Sequence, residues 1–173
     1  HRCPGDGSLH LLIKIVGKGS RLLAELTPGE PVDLLGPLGH GFVWQPELPS
    51  VLVGGGVGIA PLLFLTEQYT RHQVNRFPLH VFLGAQSGDD VRQLAKEFDA
   101  FGCSVTIATD DGSLGHHGLI TEPLQPVLPQ FRKAYVCGPT AMMAATAALC
   151  KAAGIACEVS LEAHMACGLG ACL

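Results

Sequence analysis

From Ser50 onward the chain alternates short apolar runs with segments of helical period, and this alternation constrains the fold more than any other feature. "VLVGG", "LHVFLGAQ", "SVTIATDD", "AYVCG" and "ACEVSLE" read as strands. "APLLFLTEQYTRH", "DDVRQLAKEFDAFG" and "PTAMMAATAALCKAAG" read as the helices between them. Strands apolar on both faces, joined by helical crossovers, predict an α/β domain built on a doubly wound parallel sheet. Such sheets bind ligands beyond the carboxyl ends of their strands, where strand order reverses. Before Ser50 the pattern differs. "LHLLIKIVG" reads as a strand, "SRLLAELTPGE" as a short helix closed by Pro28 and Gly29, and "PVDLLGPLGHGF" as a second strand entering a glycine-rich turn. Two strands and one helix cannot close a sheet, so this segment is expected to be the remnant of an antiparallel β-barrel.

Composition narrows the class. With 47% hydrophobic and 15% charged residues, a chain of 173 residues can bury a substantial core. Its longest apolar stretch, "VLVGGGVGIAPLLFL", is too short and too broken by glycine and proline to span a bilayer. A net charge of −4, with no basic block longer than two residues, argues against a nucleic-acid partner. Seven cysteines, with Cys137, Cys150 and Cys157 in apolar or helical surroundings, suit the reduced thiols of a cytoplasmic protein better than a disulfide framework. The chain begins at His1 within a hairpin-like pattern and ends one residue after Cys172, so it is expected to be an interior fragment of a longer protein.

Four stretches carry candidate chemistry. In "VLVGGGVGIAP" a strand runs through Gly54, Gly55, Gly56 and Gly58 into a helix, which would let backbone approach a pyrophosphate near a positive helix end. The G-x-G-x-x-G spacing is not met, and a tight turn without a ligand is the competing reading. In "YVCGPTAMM" a strand ends at Cys137, Gly138 and Pro139; a small thiol there could pack against a flat ring, although C-G-P alone is equally a helix start. In "LIKIVGKGS" Gly17, Gly19 and Ser20 open a helix behind Lys14, which makes either a second phosphate corner or a turn with an N-cap serine. Finally, Cys167 and Cys172 in "HMACGLGACL" meet the first spacing of the plant-type C-x4-C-x2-C iron–sulfur pattern, or are two ordinary thiols. His116–His117 and Asp110–Asp111 are read as solvated loop and turn residues rather than as a metal site or a catalytic dyad.

Taken in order, "VGKGSRLLAEL", "DLLGPLGHGF", "VGGGVGIAP", "ATDDGSLGHHG", "YVCGPTAMM" and "SLEAHMACGLGAC" resemble the electron-transfer subunit of type B dihydroorotate dehydrogenase, within the ferredoxin–NADP reductase-like superfamily. The resemblance implies three parts: residues 1–45 as the C-terminal half of an FAD-binding β-barrel, 46–162 as an NAD-binding α/β domain, and 163–173 as the start of a [2Fe–2S] segment. It implies that Leu12, Ile13, Lys14, Gly19 and Ser20 contact FAD and that Gly55, Gly56 and Gly58 form the NAD loop. Cys137, Gly138 and Pro139 would face the nicotinamide, and Cys167 and Cys172 would be the first two cluster ligands. The implied partner is an FMN-containing dihydroorotate dehydrogenase catalytic subunit, in a heterotetramer of pyrimidine biosynthesis. The family's R-P-x-S flavin motif and last two cluster cysteines do not occur in the sequence, so this chain alone is expected to hold FAD weakly and to assemble no normal cluster.

The implied order of cofactors is physically coherent. A nicotinamide exchanges two electrons as hydride, a cluster exchanges one at a time, and a flavin does both, which places it between them. No general base is assigned. Two other readings compete: an electron-transfer subunit of a sulfide dehydrogenase or NADPH-ferredoxin oxidoreductase, and a non-catalytic nucleotide-binding module.

Overall fold

A computed structural model describes residues 7–43, 45–71 and 77–161. Six strands form one parallel sheet: β1 (Ser50–Gly55), β2 (His80–Ala85), β3 (Ser104–Thr109), β4 (His116–His117), β5 (Lys133–Cys137) and β6 (Ala156–Ser160). Their spatial order is β4-β3-β2-β1-β5-β6. The chain therefore steps outward from β1 to β4, then returns to β1's other side as β5. That reversal lies between β1 and β5, and the expected doubly wound α/β architecture is the one observed.

The helices are α1 (Lys18–Ala24), α2 (Ile59–Arg71), α3 (Gly88–Ala100), α4 (Thr121–Leu124) and α5 (Thr140–Ala153). Period-two alternation along each strand sorts the core into two layers. Leu52, Val81, Leu83, Tyr135 and Cys137 point to the face covered by α2 and α3, where Leu62, Val91 and Phe98 meet them. Val51, Val53, Phe82, Ala134 and Val136 point to the opposite face, against Leu124, Met143 and Cys150. Each fully buried side chain of this size contributes about 1.5–3 kcal/mol relative to exposure, so the sheet's centre is its anchor.

Caps set the helix ends. The Asp90 carboxylate accepts the Ser87 backbone N–H (3.1 Å) and hydroxyl (2.8 Å), a reciprocal lock before the first turn of α3. α5 stops at Gly154, left-handed with φ 70°, where the Ile155 amide returns to the Cys150 carbonyl at 2.9 Å.

Three local readings differ from the structure. The runs "LHLLIKIVG" and "PVDLLGPLGHGF" form no strand among the described residues beyond an isolated bridge at His10. A strand exists only with a partner for its N–H and C=O groups, and no described residue supplies a ladder here. The early helix also starts and ends sooner than its sequence suggests, at Lys18 and Ala24, with Gly17 as N-cap and Ser20 one turn inside. His116–His117, read as loop, pair with Ala108 and Thr109 as a short exposed edge strand. His116 Nε2 sits 2.5 Å from the Glu122 carboxylate, which holds that exposed acid below its usual range.

Candidate nucleotide-binding crevice at the strand reversal

The parallel register of β1 and β5 sets Gly54 opposite Cys137, so the glycine run and the C-G-P run leave the sheet side by side at the reversal point. Gly55 ends β1, and Gly56–Gly58 form a single 3₁₀ turn that leads directly into α2. The two loops then touch through backbone. A Cβ on Gly58 would stand 2.5 Å from both the carbonyl carbon and oxygen of Cys137, and one on Gly138 would stand 2.9 Å from the Gly55 nitrogen. Only glycine permits that approach, because no side chain can rotate out of the way. Above Gly55 lie the Pro139 ring and the Met142 sulfur, 3.0 and 2.8 Å from where a Cβ would be.

Gly56 is different. Its φ of 54° is left-handed, nothing lies within 4 Å of its Cβ position, and it and Val57 are exposed. The crevice thus presents a bare glycine shelf at Gly56, in the 3₁₀ turn that runs straight into the 13-residue helix α2, with the Ile59 amide already bonded to the Gly56 and Val57 carbonyls of that turn. The uncovered backbone there and the positive end of the helix dipole suit an anion such as a pyrophosphate. Cys137 contributes wall rather than reactive group: it is 3% exposed and packs in the core layer with Leu52, Ile59 and Tyr135. Alternation along β5 turns its side chain to the same face as Tyr135, while its backbone reaches the crevice.

The structure therefore brings Gly55, Gly56, Gly58, Cys137, Gly138 and Pro139 together. Leu12, Ile13, Lys14 and Gly19 are exposed on the segment before β1, and Ser20 is half-buried. The Ser20 hydroxyl accepts the Val16 and Gly17 amides at 2.9 and 3.1 Å, so it organises the turn before α1 itself. Cys167 and Cys172 lie outside the described residues. No group of three or more potential metal ligands occurs among the described residues. No described helix is long and apolar enough to cross a membrane.

Sequence reasoning missed Met142, which lies over both glycine strands of the crevice, although its helical position in "PTAMM" was in view. It also missed the tie between the two turns at the carboxyl ends of β2 and β3. There Ser113 donates its hydroxyl to Asp111 (2.6 Å) and accepts the Gly88 amide (2.7 Å), and its bonds to Asp111 hold that exposed carboxyl below its usual range. Contacts across 25 residues leave no local signal.

The oxidoreductase NAD-binding domain family matches residues 52–148, more than half of the chain and all of the crevice. Curated relatives extend the match further. The chain is 39% identical over 172 residues to the dihydroorotate dehydrogenase B (NAD(+)) electron transfer subunit of Desulforamulus reducens, covering 96% of this chain and 63% of the relative. It is 36% identical over 173 residues to the subunit so named in Clostridium perfringens, covering 99% of this chain and 68% of the relative. The chain belongs to this family of electron transfer subunits. Against the relative from Geobacillus kaustophilus the identity is 38%, and again the chain spans 63% of that protein's length.

Solved structures agree on the fold. The NADH-dependent reduced ferredoxin-NADP oxidoreductase, studied for flavin-based electron bifurcation, superposes with a TM-score of 0.78 at 29% identity, over 92% of this chain and 57% of that one. The ferredoxin reductase of carbazole 1,9a-dioxygenase shares the fold alone, with a TM-score of 0.66 at 24% identity, over 85% and 48% of the two chains. The chain is an oxidoreductase-type NAD-binding α/β domain with the segment that precedes it.

Proposed function

We propose that the protein to which this chain belongs passes electrons from an FMN-containing, dihydroorotate-oxidising catalytic subunit to NAD⁺ through a [2Fe–2S] cluster and FAD, in the cytoplasmic synthesis of pyrimidines. The observation that carries the reading is the backbone contact of Gly58 with Cys137 and Gly138. It joins two loops, separate in sequence, into one site at the strand reversal of a family described as NAD-binding. The names of the relatives supply the electron-transfer role and the partner, which we carry over to this chain.

Within this reading the chain's residues bind and orient. Gly55, Gly56 and Gly58 leave room for the pyrophosphate of NAD, and the start of α2 offers it the positive end of the helix dipole. Gly138 and Pro139 bound the nicotinamide end, with Cys137 as the buried floor beneath. Residues 1–45 form the C-terminal half of the FAD-binding part, with Leu12, Ile13, Lys14, Gly19 and Ser20 as its contacts, and 163–173 begin the cluster segment, with Cys167 and Cys172 as two thiolate ligands. FAD, when bound, supplies the exchange between hydride and single-electron chemistry. The exposed apolar side chains of Leu9, Leu11, Ile15, Val16 and Leu22 fit a segment that is completed by further barrel strands. The likeness to the ferredoxin-NADP oxidoreductase supports a second reading, in which the electron donor or acceptor is a ferredoxin rather than a dihydroorotate-oxidising subunit.

The test is the visible spectrum of the full-length parent, purified without oxygen, before and after NADH. Flavin bands with added iron–sulfur absorbance, both bleached by NADH, are the expected result. A colourless protein that stays unchanged after reconstitution with FAD, iron and sulfide would overturn the reading in favour of a binding module. Turnover with dihydroorotate in the presence of the catalytic subunit separates the first reading from the second.

A further inference from the structure

A cluster of contacts well apart in sequence ties Phe42, Val43 and Gln45 to strands β5 and β6. The Tyr135 hydroxyl donates to the Val43 carbonyl and accepts the Gln45 amide, each at 3.0 Å. Phe42 meets the same ring edge-on, with centroids 5.4 Å apart and planes at 75°. The Glu158 carboxylate accepts the Val43 amide through one oxygen (2.7 Å) and the Lys133 ammonium through the other (2.7 Å). That ammonium stands 5.2 Å from the centre of the Tyr135 ring. Tyr135 is wholly buried, and the Lys133 and Glu158 side chains are 12% and 25% exposed.

This arrangement has three properties of a fixed joint. Tyr135 grips two alternate residues of one segment, which fixes that segment in rotation as well as translation. The charged pair is partly withdrawn from water, so its hydrogen bonds are stronger than those of a surface pair. And Tyr135 stands on β5 two residues before Cys137, so the segment is bolted to the same strand that ends in the crevice. A joint of this kind would matter only if something on residues before β1 must be held at a set distance from the crevice. The proposed function demands this, because hydride transfer needs reacting atoms about 3–3.5 Å apart, and a misplacement of about 1 Å can cost on the order of 100-fold in rate.

We propose that the contacts of Tyr135 and Glu158 with Phe42, Val43 and Gln45 form the joint that sets the flavin-binding segment against the nicotinamide end of the crevice, with both side chains as positioning residues. The inference rests on the functional reading above and adds to it the elements that fix the distance. It assigns neither residue a contact with NAD or FAD.

Tyr135→Phe and Glu158→Gln, each in the full-length protein, test it. The phenylalanine keeps the ring and removes the hydroxyl; the glutamine keeps an acceptor and removes the charge. Expected are a limiting rate of flavin reduction by NADH at least tenfold lower, with weaker long-wavelength charge-transfer absorbance between nicotinamide and flavin. FAD content and NADH affinity should stay within twofold of wild type. In the full-length protein as purified, amide hydrogen exchange in a peptide spanning residues 42–48 should rise at least tenfold, while peptides of β1 and β2 stay protected. Unchanged exchange, or unchanged reduction rate and charge-transfer absorbance, would overturn the inference. So would a rate loss that only tracks lost FAD or weakened NADH binding, since that is the mark of a merely structural role. Where Tyr135→Phe does not fold, Glu158→Gln decides. A wild-type parent whose flavin NADH cannot reduce overturns the functional reading, and this inference with it; a failure confined to the variants overturns the joint alone.

Discussion

Alanine at Gly58 would set a methyl carbon 2.5 Å from the Cys137 carbonyl, against backbone held by the β1–β5 ladder. Neither loop can retreat without breaking sheet pairing, so Gly58→Ala should cost about 1–3 kcal/mol. Urea titration reads that loss as a lower midpoint at unchanged slope, and NADH affinity should fall with it. Gly56→Ala meets no atom within 4 Å and is opposed only by its left-handed backbone, a smaller cost of about 1 kcal/mol. Equal losses at the two glycines would count against backbone contact as the reason for Gly58. Tyr135 has a pH signature. Burial pushes its phenol up to about 12 from an ordinary 10. A raised pKa means that the fold favours the protonated phenol, so its contribution is complete below pH 10 and is lost as pH rises through about 12. Tyr69 and Cys103, also raised by burial, titrate in the same range, so thermal unfolding should show a steeper fall in stability between about pH 10 and 12 in the wild type than in Tyr135→Phe, and coincident profiles would refute the assignment.

Helix α5 illustrates how an element tolerates a local flaw. Met143, Thr146 and Cys150 are its buried residues, spaced three and four apart along one face. The Thr146 hydroxyl is buried with no hydrogen-bond partner among the described residues. Valine has nearly the same shape and no polar group, so Thr146→Val should stabilise the domain by about 1 kcal/mol, measured as a raised denaturation midpoint. A destabilised variant would show that the hydroxyl does find a partner. The contrast with the segment before β1 is instructive. The sequence "LHLLIKIVG" has the composition of a strand, yet forms none among the described residues, because a strand is defined by its neighbour and a helix by itself. The short helix α1 does form there, since its hydrogen bonds are internal and Ser20 ties down its first turn.

At the scale of the whole molecule, the α/β domain buries its apolar core and the segment before it leaves most of its apolar side chains exposed. The central strands β1, β2 and β5 carry side chains with almost no exposure, whereas Leu9, Leu11, Leu12, Ile13, Ile15 and Val16 are all at least 41% exposed. The family relatives are longer proteins, of which this chain spans about 63% in most cases. Accordingly, the 173-residue chain alone should bind FAD far more weakly than its parent and show no normal cluster spectrum. Stoichiometric flavin and cluster absorbance from the isolated chain would contradict this. In the parent, Cys167→Ser should remove iron–sulfur absorbance and leave the flavin bands, and retention of a full cluster would release Cys167 from the proposed ligand set.

The alternation of strands and helices, the parallel class of the sheet and the two loops with crevice chemistry are legible in the residues, because period, helix length and glycine placement are local properties. The sequence also carries the family, through motifs spread along nearly its whole length. Three features emerge only once the chain is folded: Gly58 rests on Cys137, the Cys137 thiol faces the core while its backbone meets the crevice, and Tyr135 grips Val43 and Gln45. Those contacts join residues about 80 to 90 positions apart. They depend on strand order and register, which are set by how the finished layers pack and leave no trace in any short stretch of chain.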